Sequence, residues 1–147
     1  MFNSQYSMRN KLQRTYNISP ESKIILFAGR LVQRKRIDVL LDAFHLLRQT
    51  YPHVHLLLAG SGNLQSDSVE EELHVQVKQL ELQDNITFLG LIDDIPAYLQ
   101  AVDIFAFPSA REGMPNVILE AMASRLPIVA CKIGGVLDVV DDESAYL

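Results

Sequence analysis

One cysteine, Cys131, stands among 147 residues, so no internal disulfide can form and the chain suits a reducing cytoplasm. Long apolar runs are missing too. The longest, Lys23 aside, are Ile24-Ile25-Leu26-Phe27-Ala28 and Leu56-Leu57-Leu58-Ala59, a fraction of the roughly 18 residues a membrane span needs. No transmembrane helix is expected. Met1 to Tyr6 hold no basic segment leading into an apolar stretch, and no secretory signal is expected in the chain as given. Positive charge is in deficit, 13 Lys and Arg against 18 Asp and Glu, a formal net charge of −5. That balance repels a phosphate backbone and argues against nucleic acid as a partner, unless basic residues are gathered in one place. No Asp-x-Asp pair follows a strand, so the usual carboxylates for a phosphate-bound divalent metal are missing, and His45, His53, His55 and His74 have no metal-ligand spacing. What is present is an ordinary globular balance, 48% hydrophobic and 21% charged, at a length that makes one domain with a core.

Short apolar runs alternate with stretches of helical period, the pattern of βα units around a parallel sheet. Strands are expected over Lys23–Ala28, Val54–Ala59, Ile86–Leu89, Ile104–Phe107 and Ile128–Cys131, with a further one at Ala145–Leu147, each apolar on both faces. Ile37, Leu40, Leu41, Phe44 and Leu47 share one stripe of a helix over 37–50. A second helix, about 69–80, opens on a capping-box pattern, Ser68-Val69-Glu70-Glu71. A third follows the cap Asp94 and Pro96, a fourth covers about 116–124, and a fifth runs from Val136 to Val140. Ser7 to Tyr16 reads as a small helix stopped at Asn17. Residues 1–20 thus form a linker and short helix ahead of a Rossmann-like domain over 21–147. A doubly wound sheet needs helices on both faces, yet the last strand has none to cover it, so a fragment of a longer chain or a completing domain is expected.

Ligands of such sheets bind beyond the carboxyl ends of the strands. After the first strand, Gly29 to Arg36 carries Arg30, Arg34, Lys35 and Arg36 ahead of a helix. Cations there oppose the helix dipole at about 0.3 to 1 kcal/mol each. A bound anion would resolve the conflict; a solvated charge run is the other reading. After the fourth strand, Pro108 to Asn116 holds Glu112 eight positions before Glu120. Either both carboxylates face a polyhydroxylated ligand, or Glu112 is a dipole partner and Glu120 a surface acid. Gly113 permits close backbone approach, Pro115 fixes φ at the helix start, and N–H groups from Met114 to Val117 would face the ligand. Gly60-Ser61-Gly62 opens a dinucleotide fingerprint, but Gln65 replaces its third glycine. Gly134-Gly135 reads as a tight turn or an anion nest. Cys131 reads as a buried small hydrophobe.

Five segments in order resemble the nucleotide-sugar-binding, C-terminal half of GT-B fold glycosyltransferases, of the retaining family called glycosyltransferase family 4. They are Ala28-Gly29-Arg30-Leu31 with Lys35; Leu58-Ala59-Gly60-Ser61-Gly62; Ile86 to Gly90; Ser109 to Ala123 with its E-x7-E pair; and Leu126 to Ala130 with Gly134-Gly135. The resemblance implies an α/β Rossmann-like, doubly wound parallel sheet and a hexosyltransferase as the complete protein. It implies that Arg30 and Lys35 hold the donor diphosphate without a metal or cofactor, that Glu112 orients the transferred sugar, and that Glu120 binds the ribose. Gly29, Gly113, Met114, Pro115, Asn116 and Val117 then contact the donor, while Leu91 and Ile92 receive the nucleobase. The partner implied is a nucleoside-diphosphate sugar. The family's acceptor-binding N-terminal domain and closing helices have no counterpart here, and its acceptors, often polysaccharide or lipid-linked, leave room for peripheral association at the inner membrane face.

Arg36 stands where the family commonly has glycine, Arg125 likewise, and Asp138 where it has Glu. Arg125 is expected in a left-handed helix-cap conformation. Other readings of the same loops are a nucleotide-sugar-binding module without transfer, another GT-B chemistry such as epimerisation or phosphorolysis, and a structural interaction domain.

Overall fold

The computed structural model describes residues 2–147, with side chains from Ser7 onward. Met1 lies outside the described residues, as do the side chains of the Met1–Tyr6 segment read above for a secretory signal. Five strands, β1 (Lys23–Ala28), β2 (Val54–Ala59), β3 (Ile86–Gly90), β4 (Ile104–Phe107) and β5 (Ile128–Ala130), form one sheet. Every pairing is parallel and the order is β3-β2-β1-β4-β5. β1 beyond Lys23 and the whole of β2 are buried, as unbroken apolar runs at the centre of a covered parallel sheet should be. The outer strands depart from the two-faced burial expected of all of them. Only Ile86 of β3 is fully buried, and Val129 of β5 is 48% exposed, because an outer strand lacks a neighbour on one side.

Among the described residues six helices surround the sheet: α1 (Phe2–Thr15), α2 (Ile37–Thr50), α3 (Glu70–Gln79), α4 (Ile95–Ala101), α5 (Asn116–Ala123) and α6 (Gly134–Leu137). α2 packs on α3, while α1 meets α4 and α4 meets α5. From β1 the chain winds outward to β3, then returns through α4 to β4 on the other side of β1. Right-handed crossovers in opposite directions place the two helix pairs, α2 with α3 and α4 with α5, on opposite faces. No helix among the described residues is long and apolar enough to cross a membrane.

Several local expectations are corrected. α1 starts at Phe2 rather than Ser7, and Asn17, at φ 53°, ends it by letting the Ile18 N–H donate to Gln13 O (2.8 Å). Leu12 and Ile18 are buried, and Arg9 donates to Ala101 O, Ser22 O and Asp103, which ties the N-terminal segment to the sheet. The reciprocal capping box does not form: Ser68 Oγ accepts from the Glu70 N–H (3.4 Å), but the Ser68 N–H donates to Gln65 O (3.3 Å) and not to Glu71, and Ser68 is held in an antiparallel bridge to Val32. The fifth helix is a single turn that begins earlier, at Gly134. The terminal strand shrinks to one bridged residue, Tyr146 against Val129. β5 ends at Ala130, and Cys131 is exposed rather than buried, its thiol 3.4 Å from Pro108 O.

Candidate functional site

The strand order reverses between β1 and β4, so the loops leaving their carboxyl ends diverge and open a crevice. Those loops are Gly29–Arg36 and Pro108–Pro115. A backbone hydrogen bond joins them, the Ala110 N–H donating to Arg34 O (2.9 Å). A 3₁₀ turn over Gln33–Lys35 directs Lys35 inward, leaving that residue 8% exposed. Its ammonium is ion-paired with Glu112 and lies 5.1 Å from the centre of the Phe107 ring. Phe107 is itself buried beside Phe27 and Phe105, so the pair rests on an aromatic floor.

Glu112 takes two donors on the same oxygen, Oε1: the Lys35 ammonium and the Ser109 hydroxyl (2.7 Å). Burial pushes its carboxyl up, but hydrogen bonds from Lys35 and Ser109, with the charges of Lys35 and Arg34, outweigh that and hold it below its ordinary value. It is therefore a carboxylate at neutral pH.

Arg30 sits apart from this pair. It is exposed, and its Nη1 donates to Gln65 Oε1 (3.2 Å). With Gly29, Gly60, Leu91 and Ile92 it lines a hollow of about 240 Å³ beside the β1 terminus. Four expected site residues, Gly29, Arg30, Leu91 and Ile92, thus share one depression, and Lys35 and Glu112 share the adjoining crevice. Leu91 follows Gly90, whose φ of 69° turns the chain outward, and is 82% exposed.

The expectation of free N–H groups from Met114 to Val117 holds only in part. The Asn116 N–H donates to Met114 O (3.0 Å), because Pro115 forces a tight turn ahead of α5. Among the described residues no hydrogen bond engages the N–H of Gly113, Met114 or Val117. Glu120 is the fifth residue of α5, half-buried, and no hydrogen bond or ion pair among the described residues joins its side chain to Lys35 or Glu112.

The glycines of the incomplete fingerprint have a packing role. A side chain on Gly60, at φ 137°, would lie 1.8 Å from Gly29 O, and one on Gly62 would lie 2.1 Å from Ser68 Oγ. The Gly62 N–H that a pyrophosphate would use already donates to Glu70 Oε2 (2.8 Å), where an anion would meet a carboxylate.

Sequence reasoning missed three contributors. Phe107 and Ser109 read as the last residue of a strand and a small loop residue; only their closeness to Glu112 in the chain hinted at a role. Gly135, read as part of a turn or nest, lies in the first turn of α6 and backs the Glu112 loop. A side chain there would be 2.2 Å from Gly113 O and 2.6 Å from Glu112 O.

Residues 22–147 match the family model described as Glycosyl transferases group 1. An uncharacterized glycosyltransferase of Haemophilus influenzae is 36% identical over 129 residues, 86% of this chain and 35% of that protein. Among solved structures, Anabaena HepE in complex with UDP and glucose matches with a TM-score of 0.82 at 32% identity, over 92% of this chain and 36% of that one. The C-terminal domain of the group 1 family protein LpcC from Francisella tularensis matches with a TM-score of 0.79 at 31% identity, over 95% of this chain and 73% of that one. The Rossmann-like parallel sheet expected from sequence is therefore the sheet of GT-B glycosyltransferase structures. The chain spans about a third of the length of the curated relatives it matches. The family match takes in every strand of the sheet and both loops of the crevice, and the chain belongs to the glycosyl transferases group 1 family.

Proposed function

We propose that this chain is the donor-binding domain of a retaining, family 4-like glycosyltransferase that moves a hexose from a nucleoside-diphosphate sugar to an acceptor hydroxyl on a glycan or lipid-linked acceptor. The observation that carries the reading is the buried Lys35–Glu112 pair at the switch point, next to the hollow formed by Gly29, Arg30, Leu91 and Ile92. A cation and a carboxylate side by side suit a ligand with an anionic leaving group on one side and hydroxyls on the other. Arg30 and Lys35 neutralise the departing diphosphate without calling on a metal. Glu112 orients the sugar, and Glu120 accepts from the ribose hydroxyls. Leu91 and Ile92 form an apolar seat for the base, and the unengaged N–H groups of Gly113, Met114 and Val117 face sugar and phosphate. Pro115 shapes that loop, and Asn116, whose N–H is spent in its turn, contributes through its side chain.

Acceptor binding and closure belong to the complete protein, with the acceptor-binding domain across the crevice, working at the cytoplasmic side and in peripheral contact with the membrane where the acceptor is a lipid. The isolated chain should turn over little, because rate depends on positioning the acceptor. HepE is seen with UDP, which makes uracil the first base to try. The test is a titration of the chain, and of Arg30→Ala and Glu120→Ala variants, with uridine, guanosine and adenosine diphosphates and their sugars. Binding that prefers one base and weakens in both variants supports the reading. A folded chain that binds none of them at millimolar concentration overturns it.

A further inference from the structure

We infer that Ser109 is a positioning residue that fixes the orientation of the Glu112 carboxylate, committing Oε1 to the protein and leaving Oε2 to meet the transferred sugar. The inference rests on the donor-site reading above. Ser109 is fully buried near the start of the loop that leaves β4, although a serine there gains nothing from burial unless its hydroxyl is used. Three acceptors surround that hydroxyl: Glu112 Oε1 at 2.7 Å, Arg111 O at 3.2 Å and Arg34 O at 3.4 Å. A hydroxyl has one hydrogen to give, and the shortest contact, to a charged oxygen, takes it. Lys35 approaches the same oxygen, so both protein donors converge on Oε1, and no hydrogen bond among the described residues reaches Oε2.

Lys35 alone would not set this orientation once a diphosphate draws its ammonium away, since an ion pair to a mobile side chain has no fixed direction. Ser109 is a short side chain on a buried backbone and keeps hold of Oε1 through that exchange. Its contribution is therefore to sugar recognition, and the nucleoside diphosphate itself should not sense it.

The experiment compares the wild-type chain with Ser109→Ala and Ser109→Cys by titrating the Glu112 side-chain carboxyl by carbon NMR, and by measuring UDP and UDP-glucose affinities. In Ser109→Ala the Glu112 titration should move up toward that of an ordinary carboxyl. UDP-glucose affinity should fall about tenfold while UDP affinity stays within twofold, and Ser109→Cys, a weaker donor of similar shape, should lie between. An unchanged Glu112 titration in a folded Ser109→Ala chain overturns the inference. So does an equal loss of both ligands, which would mark Ser109 as a merely structural residue. If the wild-type chain binds neither nucleotide, the donor-site reading falls and the sugar-facing role falls with it, while the NMR titration still decides whether Ser109 holds the carboxylate.

Discussion

Lys35 and Glu112, 77 positions apart in the chain, form an ion pair across the point where the strand order reverses, between β1 and β4. Each side chain is 10% exposed, so neither charge is well hydrated without the other. Removing one partner strands the second: Lys35→Met and Glu112→Gln should each cost about 3 kcal/mol in chemical denaturation, and the double variant less than the sum of the two. The folded Glu112 carboxyl titrates below its unfolded value, so its contribution is present above the ordinary carboxylate range and is lost as pH falls through the folded value. Glu112→Gln should remove that part of the acid sensitivity. Equal acid profiles for wild type and variant would refute the assignment.

His55 is buried in β2 with its Nε2 2.8 Å from Thr87 Oγ1, and burial, reinforced by the charge of Arg48, pushes it down to about 4. The unfolded chain binds a proton near 6.5 that the folded chain refuses, so stability should fall as pH drops from about 6.5 toward 4 and be fully retained above that window. Replacing His55 with Val should flatten this slope. A denaturation midpoint that holds steady between those pH values in wild type would show that the ring is protonated in the fold.

Arg36 and Arg125 both sit in the left-handed region, at φ 51° and 58°, where a side chain is disfavoured. Arg125→Gly should raise stability by about 1 kcal/mol in thermal denaturation. Arg36→Gly should gain less, because it gives up the exposed pair to Asp38 (3.1 Å), and the Asp38 carboxyl, held low chiefly by the Arg36 hydrogen bond, should return to its ordinary range. Destabilisation by Arg125→Gly would mean that the arginine makes contacts outweighing the strain.

The central strands and α2 were legible because their signal is local: unbroken apolar runs for β1 and β2, a single stripe from Ile37 to Leu47 for the helix. The motif loops were legible through the order of their five segments, which matches a known family; by residue type alone, four cations before a helix left an anion site and a solvated charge run equally open. What the sequence hid depends on distant partners. Nothing near Ser68 in the chain announces that Val32 will hold it in a bridge, or that Glu70 will reach back to accept from the Gly62 N–H. The pairing of Lys35 with Glu112 is likewise a product of the β1-β4 adjacency, and the closeness of Gly135 to Glu112 a product of the β4-β5 adjacency, which no local pattern encodes.

Gly134 and Gly135 look equivalent in sequence, and the fold separates them. A side chain at Gly134 would meet nothing within 4 Å, whereas one at Gly135 would press on two backbone oxygens, Gly113 O at 2.2 Å and Glu112 O at 2.6 Å. Backbone cannot swing aside as the tip of a side chain can, so Gly135→Ala must move either α6 or the Glu112 loop. Overpacking of this kind costs typically 1 to 3 kcal/mol, about 2 kcal/mol being expected here, against almost none for Gly134→Ala. Because the atoms displaced belong to the residue that carries the carboxylate, Gly135→Ala should also weaken UDP-glucose binding beyond what its lost stability explains, when assayed well below its unfolding temperature. Gly134→Ala should bind as wild type does. If the two variants proved equally stable and equally competent, the first turn of α6 would not be what backs the Glu112 loop, and the position of that carboxylate would have to be set by Ser109 and Lys35 alone.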